Sequence, residues 1–235
     1  MTASSNGRPA IVAVIPAHDE ADRIAPVVVG VIAHVPALVV DDGSMDGTAA
    51  VAEAAGATVL RQEPNQGKGA ALRTGFRRAV TDGAQAVFTL DADGQHDPAE
   101  IPEFVGAWAA AEPGTFDLIV GRRNFRAMPP SRRLANELGR RAVSWAVRRD
   151  IPDNQSGYRL LSARLAEAML DSTEDGFEFE VEMIARCIRN GWGIGWVPIR
   201  TIYAGGPSHI RPWQHFTSFI RVVRAARRTV RADPK

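Results

Sequence analysis

The chain has 235 residues, of which 45% are hydrophobic and 23% charged, and its formal net charge is +1. This composition excludes a fibrous chain and wholesale disorder, and the length favours one large α/β domain over two average ones. A single cysteine, Cys187, excludes an intrachain disulfide, and no apolar run approaches the roughly 18 residues of a membrane-spanning helix. Because the N-terminus lacks a signal-peptide core, we expect a cytoplasmic protein.

The small net charge conceals an uneven distribution along the chain. Residues 1–120 hold 7 Lys and Arg against 16 Asp and Glu, a net −9, whereas residues 121–150 hold 9 against 2, a net +7. Residues 211–235 hold 7 against 1, a net +6. An acidic first half suits metal binding, and the arginine-rich stretches suit phosphate or anionic-lipid surfaces. The alternative for those stretches is a solvated helix face.

Short apolar runs alternate with longer alanine-rich stretches, which predicts βαβ units and a largely parallel sheet. The predicted strands are residues 11–17, 37–43, 57–63, 86–93, 116–123 and 197–205. The predicted helices are residues 21–35, 46–56, 67–83, 98–111, 131–149, about 162–171, and the basic C-terminus. Residues 176–183 alternate apolar and acidic side chains, as in a half-exposed strand or the entry to a helix.

The chain is predicted to hold one domain at residues 10–210, after a flexible N-terminus at residues 1–9. Residues 211–235 are predicted to form a separate basic amphipathic helix. Its apolar stripe comprises Trp213, Phe216, Phe219, Ile220, Val223 and Val230. Such a helix lies either at a membrane interface or on the core with its basic edge in solvent, and both options are open.

Acidic side chains recur where predicted strands end. Asp91 and Asp93 are two residues apart, which places them on one face of an extended segment, and Gln95 continues the spacing. A nucleotide diphosphate is commonly neutralised by a hard divalent cation that one or two carboxylates hold and the phosphates complete. The DADGQH segment therefore predicts a metal and diphosphate site, the alternative being acids that cap the next helix.

The NQGKG segment, residues 65–69, is a glycine-rich turn. Gly67 and Gly69 allow the backbone to approach a ligand closely, and Lys68 is a candidate for phosphate contact. The segment is not a Walker motif, because Ala70 follows Gly69, and no GxGxxG follows the first strand. An ordinary strand-to-helix turn is the alternative.

Taken in order, several motifs resemble family 2 glycosyltransferases of the GT-A fold, most of all the dolichyl- or polyprenyl-phosphate hexosyltransferases. The motifs are IPAHDE, VVDDGSMDGT, NQGKGAALRTGF, LDADGQHDP, GRR, QSGYR and SHIRP, and they cover roughly residues 10–215. The resemblance implies a Rossmann-like α/β fold with a mostly parallel sheet flanked by helices. It also implies inverting transfer of a hexose from UDP-glucose or GDP-mannose to a polyprenyl phosphate, with Mg or Mn as cofactor.

The resemblance implies a role for each matching position. The donor site would comprise Pro16, Ala17, Glu20, Asp42, Lys68, Asp91, Ser208 and His209. The metal would be held by Asp91, Asp93 and Gln95. The acceptor phosphate would be received by Arg123 and by Arg132 or its neighbour Arg133, and the acceptor side would be shaped by Gln155, Ser156 and Arg159. Asp93, Arg123 and Arg132 would carry catalysis.

Other functions remain open beside this one. A hydroxyl acceptor would need a carboxylate base, for which Asp175, Glu178 and Glu180 are candidates. A sugar-1-phosphate nucleotidyltransferase is disfavoured because PAHDE stands where a glycine-rich GxGxR loop is expected, and a non-catalytic nucleotide-sugar binder is disfavoured by intact metal ligands. Nucleic acid binding is not expected, since the basic stretches lack stacking aromatics. Peripheral contact with the inner face of the cytoplasmic membrane is a further expectation.

Overall fold

The computed structural model describes residues 10–176, 178–202 and 212–231. These parts of the chain contain seven strands and eight α-helices, besides three short 3-10 helices. The strands are β1 (Ile11–Ala17), β2 (Ala37–Asp42), β3 (Thr58–Gln62), β4 (Ala86–Thr89), β5 (Leu118–Arg123), β6 (Arg159–Ser162) and β7 (Ile194–Ile199). The helices are α1 (Ala21–Ile32), α2 (Thr48–Ala54), α3 (Lys68–Thr81), α4 (Ile101–Ala110), α5 (Pro130–Val147), α6 (Ala163–Ala168), α7 (Glu178–Arg189) and α8 (Pro212–Arg231).

All seven strands belong to one sheet, in the order β3-β2-β1-β4-β6-β5-β7. Every pairing is parallel except those of β6, which runs antiparallel to both β4 and β5. The predicted α/β class with a mostly parallel sheet is therefore confirmed.

Hydrophobic cores lie on both faces of the sheet, which explains why β1 and β2 read as nearly continuous apolar runs. One core packs Val14, Val40 and Val87 against helices α3 and α5 to α8. The other core packs Ala13, Val39 and Phe88 against α1, α2 and α4. The result is a three-layer arrangement, with helices on both faces of one sheet.

Three sequence expectations about strands are wrong. The fourth strand ends at Thr89, because Asp93 and Gly94, whose φ is +75°, form a turn instead of extended chain. The last strand covers Ile194–Ile199 and not residues 197–205, of which 203–205 lie outside the described part. The sequence reading also missed β6, a four-residue strand that pairs only with distant partners.

Helix α8 packs against α5 and α7. Ala226 is buried, and Val223 and Val230 pack against the core. In its described side chains the apolar stripe of this helix therefore faces the protein, while the side chains of residues 212–220 lie outside the description. Within the described ranges, no helix combines the length and apolar content that a bilayer span requires.

Candidate active site

The C-terminal ends of β1, β2, β4 and β5 meet at one edge of the sheet, where open α/β sheets bind ligands. They bring Pro16, Asp42, Asp91 and Arg123 to that edge from four separate strands. A cleft there is lined by Pro16, Lys68, Asp91, Gly157 and Glu180, among others. The structure thus brings together residues that lie in separate motifs of the sequence.

Lys68 lies at the start of α3 and joins two carboxylates in this cleft. Its Nζ is 2.6 Å from Asp91 Oδ1 and 2.7 Å from Glu180 Oε1. Glu180 lies on α7 and is almost fully buried, and its Oε2 has no hydrogen-bond partner among the described residues. One cation thus serves two acids, and a polar atom is left unsatisfied beside it.

The charges of this cluster stabilise one another. Burial works to lower the pKa of Lys68, but Asp91 and Glu180 outweigh it and raise that pKa above its usual range. Burial likewise works to raise the pKa of Asp91, but Lys68 and then His96 lower it to about 2. Lys68 is therefore a cation and Asp91 an anion across the physiological pH range.

The segment around Asp91 is fixed by residues that the sequence reading did not single out. The backbone N–H of Asp91 donates to His96 Nδ1, at 3.3 Å, and the His96 ring stacks on Tyr158 with centroids 4.9 Å apart. Burial lowers the pKa of His96, which favours the neutral ring. Thr89 Oγ1 donates to the carbonyl of Gly157, and a Cβ at Gly157 would lie 2.8 Å from Asp91 Oδ2. Position 157 therefore has room only for glycine while Asp91 keeps this orientation.

Asp93 is placed by the DADG turn rather than by strand alternation. Its Oδ1 accepts the backbone N–H of Gln95, and its side chain is half-buried. The expectation that Gln95 shares a strand face with Asp91 and Asp93 is wrong, because β4 ends at Thr89 and these residues are not in a strand. Gln95 is exposed. The turn nevertheless keeps the Asp93 carboxylate at the same sheet edge as Asp91.

Glu20 belongs to the same acidic environment. Burial raises its pKa, and after the opposing effect of Arg23, the neighbouring Asp93, Asp46 and Asp91 raise it further. Its backbone N–H donates to Thr48 Oγ1 at 2.8 Å. The Glu20 side chain therefore lies within electrostatic reach of both carboxylates of the DADG segment.

The donor atoms at this edge suit a divalent cation. Carboxylate oxygens are the ligands of hard cations such as Mg²⁺ and Mn²⁺. In the described residues, no three His, Cys, Asp or Glu side chains form a complete metal cluster. Asp91 and Asp93, which lie at this end of the sheet, offer carboxylates for a cation whose coordination substrate phosphates would complete.

Asp42 holds the NQGKG turn in place. One carboxylate oxygen accepts from Gln62 Nε2 and the backbone N–H of Gln66, and the other accepts from the backbone N–H of Gly67. Asp42 is buried, so the structure gives it a scaffold role alongside the expected contact with base or ribose. A Cβ at Gly69 would lie 2.3 Å from the carbonyl oxygen of Glu174, which accounts for glycine at this position.

Arg123, at the end of β5, forms a bidentate pair with Asp153. Its Nε and Nη2 donate to the two carboxylate oxygens at 2.8 and 2.9 Å. Asp153 is fully buried and also accepts the backbone N–H of Gln155. The pair orients the guanidinium and fixes the loop before β6. Sequence reasoning missed Asp153, whose only signal was an acid two residues before QSGYR.

The QSGYR residues divide into an outer and an inner part. Gln155 is exposed, whereas Ser156 and Arg159 are buried. Arg159 donates to the backbone carbonyls of Asn154, Ser156 and Glu180, and burial lowers the pKa of its guanidinium. Arg159 therefore fixes the backbone of this loop and of α7 from within the core and does not reach the surface of the cleft.

The remaining implied residues are only partly described. Ala17 is buried at the end of β1. Arg132 and Arg133 lie in the first turn of α5, where Arg133 is exposed and the Arg132 side chain lies outside the description. Ser208 and His209 fall within residues 203–211, which the structure does not describe.

Comparison with known proteins assigns the chain a family. The sequence model described as Glycosyl transferase family 2 matches residues 12–170. The chain is 30% identical over 208 residues to the undecaprenyl-phosphate mannosyltransferase of Micrococcus luteus, covering 80% of this chain and 82% of that protein. It is 30% identical over 203 residues to the polyprenol monophosphomannose synthase of Mycolicibacterium smegmatis, covering 79% and 75%.

Among solved structures, the chain is similar to glucosyl-3-phosphoglycerate synthase from Mycobacterium tuberculosis in complex with Mn²⁺, uridine diphosphate and phosphoglyceric acid. The TM-score is 0.72 at 25% sequence identity, over 97% of this chain and 80% of the other. The shared architecture confirms the GT-A expectation.

Proposed function

The chain belongs to glycosyl transferase family 2, and from that membership we propose that it moves a hexose from a nucleotide-diphosphate sugar to a polyprenyl phosphate. Two relatives support this acceptor, since both are 30% identical and are named undecaprenyl-phosphate mannosyltransferase and polyprenol monophosphomannose synthase. Both names specify mannose, so GDP-mannose is the first donor to test and UDP-glucose the second. Mn²⁺ and uridine diphosphate in the similar solved structure support a divalent cation at the diphosphate.

The observation that carries the proposal is the charge arrangement around Lys68. This cation lies between Asp91 and Glu180, next to the turn that presents Asp93. Lys68 contributes positive charge for the diphosphate, and Asp91 and Asp93 would hold the divalent metal ion. A divalent cation bound there would neutralise the charge that develops on the leaving diphosphate.

On the acceptor side the chain supplies positioning. A phosphate monoester is already an anion near pH 7, so no base has to remove a proton before it attacks. An oxygen of the acceptor phosphate forms the new bond to the anomeric carbon, while the bond from that carbon to the donor diphosphate breaks with inversion. Arg123, oriented by Asp153, and the arginines of the first turn of α5 suit bidentate phosphate binding.

A hydroxyl acceptor is the second candidate, because the similar solved structure contains phosphoglyceric acid. Such an acceptor needs a carboxylate base. Among the candidates for it, Asp175 pairs with Arg73 and Glu180 pairs with the Lys68 cation. Glu178 lines a cavity between α7 and α8 and not the cleft. These engagements favour the phosphate acceptor.

The decisive experiment measures nucleoside diphosphate release by the purified chain. GDP-mannose and UDP-glucose are supplied with Mg²⁺ or Mn²⁺, alone, with a short-chain polyprenyl phosphate, or with phosphoglyceric acid. We expect release that needs both the metal and the lipid phosphate. Release only with phosphoglyceric acid would support the second candidate, and donor binding without any release would contradict transferase activity.

A further inference from the structure

Helix α5 carries large apolar side chains on its outer face. Leu134, Leu138 and Trp145 are 62%, 55% and 63% exposed. Their spacing of four and seven residues places them on one face of the helix, together with the exposed Arg141. These three apolar residues, here called the α5 stripe, extend over roughly 16 Å of the helix.

The rest of α5 is well packed, so the stripe is not the result of a loosely placed helix. Val143 and Val147 on the opposite face are buried in the core with α6 and α7 residues. Glu137 pairs with Arg140 and Arg141 along the helix. Three large apolar side chains exposed on one face of a packed helix indicate an interaction surface more strongly than a single exposed leucine does.

Helix α8 adds positive charge beside this stripe. The Arg227 guanidinium lies 4.5 Å from the ring centroid of Trp145, which brings the two helices together at this point. Arg221, Arg224, Arg228 and Arg231 are exposed on the side of α8 away from its core contacts. With Arg227 they form the basic face of α8, and no acidic residue occurs in Pro212–Arg231.

We propose that the α5 stripe and the basic face of α8 together form a surface that docks onto a bilayer containing anionic lipids. Leucine and tryptophan side chains enter the boundary between headgroups and acyl chains, and arginines contact lipid phosphates. The described half of α8 contributes its arginines and not its apolar stripe, which faces the core.

Other occupants fit these observations less well. Nucleic acid would use the arginines but not exposed leucines. A second copy of the chain, related by a two-fold axis, would place one basic face opposite another, and like charges repel. A bilayer of negative charge uses both the apolar and the basic part of the surface.

The biological role of this docking surface rests on the proposed function, transfer to a polyprenyl phosphate. Helix α5 begins at Pro130, shortly after Arg123 at the end of β5, and its first turn contains Arg132 and Arg133. Docking through this helix would bring the sheet edge close to the bilayer surface. The phosphate of a polyprenyl phosphate would then reach the arginines while its hydrocarbon chain stays in the lipid.

The test measures co-sedimentation of the full chain with phosphatidylcholine vesicles, with and without phosphatidylglycerol, in the absence of donor and of polyprenyl phosphate. We expect binding that needs the anionic lipid and weakens with salt. Leu138→Gln should weaken binding roughly fivefold or more. Val29→Gln is the matched control, since Val29 on α1 is also 55% exposed, and it should bind like the unsubstituted chain.

A second pair of variants tests the charges. Arg224→Gln with Arg231→Gln, which leaves Arg228 beside the glutamates of the α7–α8 cavity untouched, should weaken binding roughly tenfold or more. Arg77→Gln with Arg78→Gln removes two charges from α3 and serves as the control. Lipids brominated on their acyl chains should quench tryptophan fluorescence, and Trp145→Phe should reduce that quenching.

Several results would contradict the proposal that this surface docks onto a bilayer. These are absent vesicle binding, equal binding to neutral vesicles, equal loss in the α5 and α1 variants, preferential retention of nucleic acid, or a dimer in light scattering that Leu138→Gln dissolves. Turnover of a short-chain acceptor without vesicles separates the two proposals. Turnover with no vesicle binding contradicts only the proposed docking surface. Vesicle binding with no turnover contradicts only the proposed transferase activity.

Discussion

Lys68 Nζ lies 2.6 Å from Asp91 Oδ1, so the carboxylate proposed to hold the metal is already engaged by a cation of the protein itself. A divalent cation bound at Asp91 would compete with Lys68 for that carboxylate. Glu180 offers Lys68 a second carboxylate at 2.7 Å and thereby eases that competition. We therefore expect the buried Glu180 on α7 to act as a positioning residue for the proposed metal site.

Glu180→Gln tests this relationship. Without the second counter-charge Lys68 is expected to hold Asp91 more firmly, which lowers the affinity for Mn²⁺ in the presence of a nucleoside diphosphate by roughly tenfold. Electron paramagnetic resonance of free Mn²⁺ measures the affinity. Glu178→Gln makes the same change of charge on the same helix and should have little effect. Equal affinities in both variants would contradict the role of Glu180.

Asp93→Asn separates binding from stability. Because the Asp93 side chain is half-buried and bonds within its own turn, the free energy of unfolding should change by about 0.5 kcal/mol or less. Mn²⁺-dependent nucleotide binding should fall at least about tenfold. Urea unfolding and calorimetric titration measure the two quantities. Full retention of metal-dependent binding would remove Asp93 from the site.

Gly157→Ala tests the close approach beneath Asp91. The added methyl would lie 2.8 Å from Asp91 Oδ2 and push the carboxylate from its position. We expect weaker Mn²⁺-dependent nucleotide binding, by roughly tenfold. Gly106→Ala on α4 is the control, because its methyl meets open space and should stabilise the helix by about 0.5–1 kcal/mol. Normal metal binding in Gly157→Ala would show that the carboxylate adapts freely.

Arg123→Lys tests the acceptor side. Lysine keeps the charge but not the planar fork that Asp153 orients. We expect kcat/KM for the lipid phosphate to fall about tenfold or more, with donor affinity close to that of the unsubstituted chain. Arg122→Lys, on the exposed neighbour, is the control. If donor affinity falls as much as transfer does, Arg123 belongs to the donor site.

His96 makes stability depend on pH. Burial keeps its pKa in the folded chain below the usual 6.5, so the unfolded chain binds more protons between the two values. The stability that the neutral ring provides is fully present above pH 6.5 and is lost as the pH falls towards and through the lowered pKa. Urea unfolding is measured from about pH 8 to about pH 5, the range in which histidine titrates. The free energy of unfolding should decline over this range, and it should decline less in His96→Phe. Parallel declines in the two proteins would place the titration elsewhere.

Much of the scaffold could be predicted from sequence. The run at Ile11–Ala17 matches β1 residue for residue, because a strand buried on both faces is a short apolar segment bounded by turn residues. The sequence also indicated Lys68 and Asp91 separately as candidates for a diphosphate site, and the structure shows the two in direct contact. The antiparallel strand β6 escaped notice, since Arg159–Ser162 is short and its pairing depends on residues far away in the chain.

The partners of the site residues were beyond a sequence reading for a related reason. Asp153 and Glu180 are acids in ordinary surroundings of the sequence, and only the fold shows that each is buried against a cation. The DADG spacing correctly drew attention to Asp91 and Asp93. The alternation of side chains along a strand does not apply to them, however, because β4 ends at Thr89, two residues before Asp91. Turn geometry at Gly94, not pleat geometry, places Asp93.

For protein engineers, the position of β6 limits what can be exchanged. Residues 151–158, the loop before that strand, are joined to the donor side through the Thr89 hydroxyl and the Gly157 carbonyl, and Thr89 is paired with Arg159 in the sheet. A loop grafted from another transferase to change acceptor preference must therefore bring a glycine for position 157 and meet a hydroxyl at position 89. Without both, we expect the transplant to alter nucleotide binding as well as acceptor preference.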